Sequence, residues 1–288
     1  MSKVAIVTDT NGSITKEEGQ KLGIHVLAMP FFIDEKLYYD GIDLSQEGFY
    51  QKLVSGSDVS TSQPSPADII ELWEGLLKEY DEVVYIPMSS GLSNSCATAT
   101  ALAQEYDGKV QVINNQRIAL TQKSSALDAV ALAQKGKNAS EIKELLEQER
   151  LESSIYIMVD TLEYLKKGGR ITPAAAMIGT VLKLKPVLQI QGEKLDAFAK
   201  ARSQKLAKKI MVDAMKDDFE KRFASAYKDG KMRLGVCHSA NEEEAKIFAE
   251  ELASVFPSCT IEIAPLPLSV ACHIGQGSLA ITSAKITE

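Results

Sequence analysis

Long apolar runs are missing from this chain. The first one, Val4–Val7, stops after four residues, too short for the apolar core of a signal peptide. No later stretch approaches the length of a membrane span. Positive charge is also in deficit: 32 Lys and Arg stand against 39 Asp and Glu, a net charge of −7. The basic residues are scattered, so neither a nucleic-acid face nor simple attraction to an anionic membrane is expected. Histidine and cysteine are sparse. His25, His238 and His273 form no HxxxH pair, and Cys96, Cys237, Cys259 and Cys272 form no CxxC pair. That argues against a zinc site and a disulfide framework, and the cysteines read as small buried residues. No Walker A pattern occurs, so no nucleotide site of its own is expected. The expectation is a cytoplasmic protein without metal or cofactor.

What is present is a globular chain of 288 residues, 45% of them apolar, enough for one large or two medium cores. Short apolar runs alternate with helical patterns. Val4–Val7, Ile24–Leu27, Val83–Pro87 and Val110–Ile113 read as buried strands. Helices are expected from Lys16 to Leu22, ending at Gly23, over 66–79, through Leu102, and from Ala119 to Ala133. Strand then helix, repeated, implies a parallel sheet covered on both faces. Phe31–Tyr39 alternates across a polar tip like a hairpin. Near residue 150 the pattern changes. Later strands at 155–159, 187–190, 233–237 and 260–263, a hairpin with Gly192-Glu193 at its tip, and helices at 203–215 and 240–256 suggest a sheet with helices on one side. The fold class is therefore α/β with two domains. Residues 1–152 form a three-layer α/β/α domain with a parallel sheet. Residues 153–288 form a two-layer α/β domain with a mixed sheet.

Ligands of open α/β sheets bind at the carboxyl ends of the strands. Three polar turns follow strands here: 8–13 (TDTNGS), 89–94 (SSGLSN) and 114–117 (NNQR). The stretch Ser60-Thr61-Ser62-Gln63-Pro64-Ser65-Pro66 precedes a helix. Read locally, Ser65 caps that helix and Pro66 takes its first position. Read functionally, Thr61 or Ser62 faces Ser93 and makes a neutral hydroxyl cradle, helped by backbone N–H groups at a helix start. Such a cradle suits a carboxylate or phosphate that must stay reactive. Gly91-Leu92-Ser93-Asn94-Ser95 also lacks only the last glycine of a nucleophile elbow, and the order Ser93, Asp160, His273 fits a serine hydrolase. No oxyanion motif of the HGGG type accompanies it. Lys166-Lys167-Gly168-Gly169-Arg170 reads as a helix end that presents Arg170. His273 stands in a glycine-rich loop between apolar strands. Lys200-Ala201-Arg202 reads as a solvated face.

In this order and spacing, VTDT (7–10), STSQPSP (60–66), SSGLS (89–93), LKKGGRI (165–171), KAR (200–202) and HIGQG (273–277) resemble the DegV family, across essentially the whole chain. That family comprises the fatty-acid-binding proteins of bacterial fatty acid kinase systems. The resemblance implies a long-chain fatty acid held between two domains, its carboxylate at Thr61, Ser62, Ser93 and Asn94 with His273 nearby. Arg170 and Arg202 would face the phosphate or the partner kinase. The kinase would bind ATP and phosphorylate the acid. This chain would present the acid and carry the acyl phosphate to phospholipid synthesis, as a carrier rather than an enzyme, with no stable membrane insertion and at most transient membrane contact. Phe31, Ala97, Ile157, Ile178 and Leu266 are candidate tunnel walls. Two positions depart from the family: SSGLSNS replaces the common SSGLSGT at 89–95, and Gln276 stands where proline is common. The alternatives are the Ser93–His273 hydrolase and a carrier of another carboxylated amphiphile.

Overall fold

The computed structural model describes residues 2–173 and 184–288. Ile178, one of the candidate tunnel walls, lies outside them. In the first half, β1 (Val4–Asp9) and β2 (Ile24–Leu27) pair in parallel. Strands β3 (Pro30–Ile33), β4 (Lys36–Tyr39) and β5 (Val59–Thr61) make a small antiparallel sheet. Strands β6 (Glu82–Ile86) and β7 (Val110–Val112) extend the first sheet to the order β2-β1-β6-β7, parallel throughout. The β3–β4 hairpin turns at Asp34 and Glu35, both at positive φ (49° and 66°), as a two-residue turn with the twist of its strands requires.

Helices α1 (Lys16–Leu22), α2 (Gln46–Val54), α3 (Pro66–Leu76), α4 (Ser95–Ala103), α5 (Ala119–Gln134) and α6 (Ala139–Gln148) complete this half. Local chemistry sets their ends. Gly23 closes α1 in the left-handed region (φ 73°), and Ser65 caps α3 by accepting from the Asp68 backbone N–H, with Pro66 in the first turn. Ile69, Trp73, Cys96 and Ala99 bury α3 and α4 on one face of the parallel sheet. Ala126, Leu132, Ile142 and Leu146 bury α5 and α6 on the other. This is the three-layer arrangement that the alternating pattern implies.

The second half contains β8 (Ser153–Met158), α7 (Glu163–Gly168), β9 (Lys185–Ile190), β10 (Leu195–Ala201), α8 (Gln204–Glu220), α9 (Ala224–Lys228), β11 (Met232–His238), α10 (Glu242–Val255), β12 (Ile261–Pro265), α11 (Leu268–Ile274) and β13 (Leu279–Lys285). The strands form one sheet, β10-β9-β8-β13-β11-β12, in which β11–β12 is parallel and the other pairs antiparallel. Met211, Met215, Phe219, Phe248 and Leu252 pack α8 and α10 against one face. The opposite face meets the start of α5 through Ile118, Ala119 and Leu120. Helix α5 thus lies between the two large sheets.

Two local readings change. Ser60 and Thr61 belong to β5, paired with Phe32 and Phe31, rather than to a loop. His273 lies in the last turn of α11, not in a loop. Leu268, Ala271 and Cys272 bury that helix against the aromatic cluster of Phe31 and Phe49, and Gly275 (φ 70°) follows it. No helix among the described residues is long and apolar enough to cross a membrane.

Candidate functional site

The carboxyl ends of β1 and β6 and the face of the mixed sheet not covered by α8 and α10 enclose a cavity. Its free interior is about 100 Å³, and the wider non-atom space of about 910 Å³ includes open solvent. Ile118, Ile155, Ile157, Ile190, Leu266 and Ala280 form much of its apolar wall. Thr61, Ser62, Gln63, Ser93, Arg170 and His273 supply polar groups. An apolar slot with few polar groups is the usual make-up of a small-molecule site.

The polar groups come from both halves and touch one another. Thr61 Oγ1 and His273 Nε2 are 2.8 Å apart, joining β5 to α11. Gln63 Oε1 accepts from Thr98 Oγ1 at 3.0 Å, tying the loop after β5 to α4, the helix that follows Ser93. Burial, and then the Arg170 guanidinium, push His273 down to about 4. At neutral pH the ring is therefore uncharged, and Thr61 meets a neutral imidazole. Its Nδ1 is buried without a hydrogen-bond partner among the described residues. Gly168 explains the fit on that side: a Cβ there would stand 2.1 Å from Nδ1, so only glycine lets α7 pass the ring. Arg170 follows, exposed, with Nη1 donating to the Gly168 carbonyl.

The turn after β6 is held from the other half. Ser89 Oγ donates to the Glu193 carbonyl at 2.8 Å, on the tip of the β9–β10 hairpin. A Cβ on Gly91 would lie 2.5 Å from that same carbonyl oxygen. The glycine that reads as a tight-bend residue is thus needed for close approach between the halves. Ser93 Oγ accepts from the Ser95 backbone N–H at 3.1 Å, which leaves its own hydroxyl hydrogen free to donate.

Behind the cavity lies a buried polar layer that sequence reasoning missed. Asp9 is buried and accepts from the backbone N–H groups of Asn11 and Met88 and from Gln122 Nε2. Burial pushes its carboxyl up to about 6, against the pull of those donors. Burial also pushes Asp40 up to about 6, and it accepts from the Ser269 and Leu268 backbone N–H groups at the start of α11. Asn11 and Ser269 reach the cavity wall. The turn at 8–13 was legible as polar. That it packs on α11, some 258 residues away, was not.

Several sequence-predicted residues lie elsewhere. Asn94 is exposed at the start of α4, makes no side-chain cap, and does not line the cavity. Arg202 is exposed between β10 and α8, also away from it. Ile157 and Leu266 line the cavity. Phe31 instead stacks on Tyr38 and meets Phe49 edge-on, and Ala97 is exposed on α4. The hydrolase relay is not assembled: His273 bonds Thr61, and Asp160 pairs with Lys185 at 2.5 Å. Among the described residues no three His, Cys, Asp or Glu side chains gather as a metal site.

The model of the family described as "Uncharacterised protein, DegV family" matches residues 3–285. The chain belongs to the DegV family. It is 32% identical over 282 residues to Protein DegV of Bacillus subtilis, covering 96% of this chain and 98% of that one. Two solved structures of DegV proteins share its fold. One, described as showing fatty acid binding of a DegV family protein from Thermus thermophilus, is 29% identical with a TM-score of 0.89, covering 98% of this chain and 99% of that one. The other, described as DegV, a fatty acid binding protein from Bacillus subtilis, is 30% identical with a TM-score of 0.87, covering 99% and 100%.

Proposed function

We propose that this DegV family chain binds a long-chain fatty acid in the cavity between its two halves, residues 1–152 and 153–288. The observation that carries the reading is the pairing of an apolar slot with a neutral head site, Thr61 and His273 at 2.8 Å with Ser62 and Ser93 on the same wall. Hydroxyls can hold a carboxylate without the permanent countercharge of a buried arginine, which keeps it available for reaction. The descriptions of the two solved relatives as fatty acid binding support the same ligand class. An acyl chain of about 14 methylenes contributes up to roughly 11 kcal/mol on burial, at about 0.8 each. Chain ordering offsets part of that. The tail therefore supplies most of the affinity, and the head site sets orientation.

The carrier then presents the carboxylate to a partner ATP-dependent fatty acid kinase in the cytoplasm and delivers the acyl phosphate to phospholipid synthesis. Arg170, exposed beside the head site, is the group best placed to meet a phosphate. Arg202 meets the partner from further off.

Mass spectrometry of protein purified without added ligand, native and then after organic extraction, tests the reading. A stoichiometric fatty acid is expected. Another carboxylated amphiphile in its place redirects the proposal, and a protein that is empty and takes up no added fatty acid ends it. Ser93→Ala and Thr61→Ala are expected to weaken binding, or kinase-coupled turnover, about 10-fold or more without unfolding the chain.

A further inference from the structure

A neutral imidazole carries one ring proton, on Nδ1 or on Nε2, and the two forms give opposite roles to the groups they face. In His273 the Nε2 atom stands 2.8 Å from Thr61 Oγ1, and it either donates to that hydroxyl or accepts from it. The far side of the ring decides between the two.

Nδ1 is buried and has no hydrogen-bond partner among the described residues. What faces it is Gly168. A Cβ on that glycine would lie 2.1 Å from Nδ1, 2.7 Å from Cε1 and 3.4 Å from Cγ. With ordinary ring bonds, these three distances fit an approach close to the ring plane, where Nδ1 bears either its proton or its lone pair. The hydrogen that glycine carries in that direction therefore points at Nδ1. A lone pair accepts it as a weak C–H contact, whereas a ring proton would be crowded against it and left without an acceptor. Arg170 acts in the same sense. Its Nη1 donates to the Gly168 carbonyl, so a positive charge stands beside the same glycine and favours a lone pair over a proton there.

We propose that Gly168 and Arg170 fix His273 with its proton on Nε2, so that Thr61 Oγ1 accepts from the ring and turns its own hydrogen towards the ligand head group. Gly168 is then a positioning residue that acts through His273 and Thr61. Ser93 is in the same state, since its Oγ accepts from the Ser95 backbone N–H. Two hydroxyls that present donors favour a carboxylate over the protonated acid, which would have to donate. That consequence rests on the fatty-acid reading of the cavity; the tautomer itself does not.

Long-range proton–nitrogen-15 correlation of the imidazole rings reads the tautomer in full-length protein at neutral pH, with single substitutions of His25, His238 and His273 assigning the signals. A bare Nδ1 and a protonated Nε2 are expected for His273. A proton on Nδ1, or an even mixture, overturns the inference and leaves the carrier reading intact. Hexadecanoate labelled with carbon-13 at its carboxyl reads the consequence. In the bound state it is expected to titrate higher in Thr61→Ala than in the wild type, by about one pH unit, a 10-fold change, because a donor to the charged form is gone. A downward shift would mean that Thr61 accepts from the protonated acid, and no shift that it serves neither form; either result overturns the relay. Failure of hexadecanoate to bind the delipidated wild type ends the carrier reading, while the ring spectrum still decides the tautomer. Thermal melts verify folding, and if Thr61→Ala does not fold, the ring spectrum decides alone.

Discussion

At the scale of single residues, His273 joins the head site to the pH response. Its folded pKa of about 4 lies below its ordinary 6.5 because burial disfavours the charged ring. Between those values the unfolded chain binds more protons, so this residue's contribution to stability is present above pH 6.5 and is lost as pH falls towards 4. Asp9 and Asp40, both raised to about 6 by burial, act in the opposite sense: their contribution is present at low pH and is lost as pH rises towards 6. The useful measurement is therefore a difference. His273→Gln is expected to lose stability less steeply than wild type on acidification, by roughly 3 kcal/mol over that window, read by urea unfolding at several pH values. A parallel pair of curves would remove the buried neutral histidine from the account. Gly168→Ala places a Cβ 2.1 Å from the same ring and is expected to displace it, costing about 1–3 kcal/mol and weakening ligand binding. Ser93 was legible as a candidate in a polar turn after a strand, Thr61 in a hydroxyl-rich stretch before a helix and His273 beside glycines, and the family resemblance joined them. Gly168 was legible only as a helix end, because its contact with His273 spans more than 100 residues.

At the scale of elements, α5 decides how the halves meet. Its polar residues Gln122, Lys123, Ser125 and Asp128 are buried because the helix is enclosed on two sides. Gln122 Nε2 donates to Thr8, Asp9 and the Ile86 carbonyl, and Lys123 Nζ bridges Glu18 on α1 and Glu262 on β12. A helix whose polar residues are consumed internally shows no clean apolar stripe, so the sequence reveals its existence but not its place. Lys123→Ala removes the cation shared by two half-exposed carboxylates. A loss of about 1–3 kcal/mol in urea unfolding is expected, less than for a fully buried pair, since water still reaches both acids. An unchanged midpoint would mean that the bridge carries no stability. The short helix α11 was misread as a loop for a related reason. Seven residues give too little periodicity, and its burial depends on β3 and β5, far away in sequence.

At the scale of the whole molecule, the cavity wall is shared by both halves, so its ligand should tie them together. Organic extraction followed by refolding is expected to lower the melting temperature, and added fatty acid to restore it. At a free concentration 100 times Kd the gain is about 2.7 kcal/mol, a shift of ~5 °C. No shift would mean that the cavity does not bind the acid in the folded state. The sequence by itself determined the α/β class, the parallel and mixed sheets, the helix ends at Gly23 and Ser65, and the hairpins within 31–39 and at 192–193. Each of these depends on residues within a turn or two of one another, where backbone sterics and local hydrogen bonds act. Only the tertiary structure decided that Thr61 meets His273, that Gly91 admits Glu193, and that Asn11 bonds Ser269. Those facts depend on contacts between distant segments, and the geometry of such contacts is set by the packing of two sheets around α5 rather than by any local pattern.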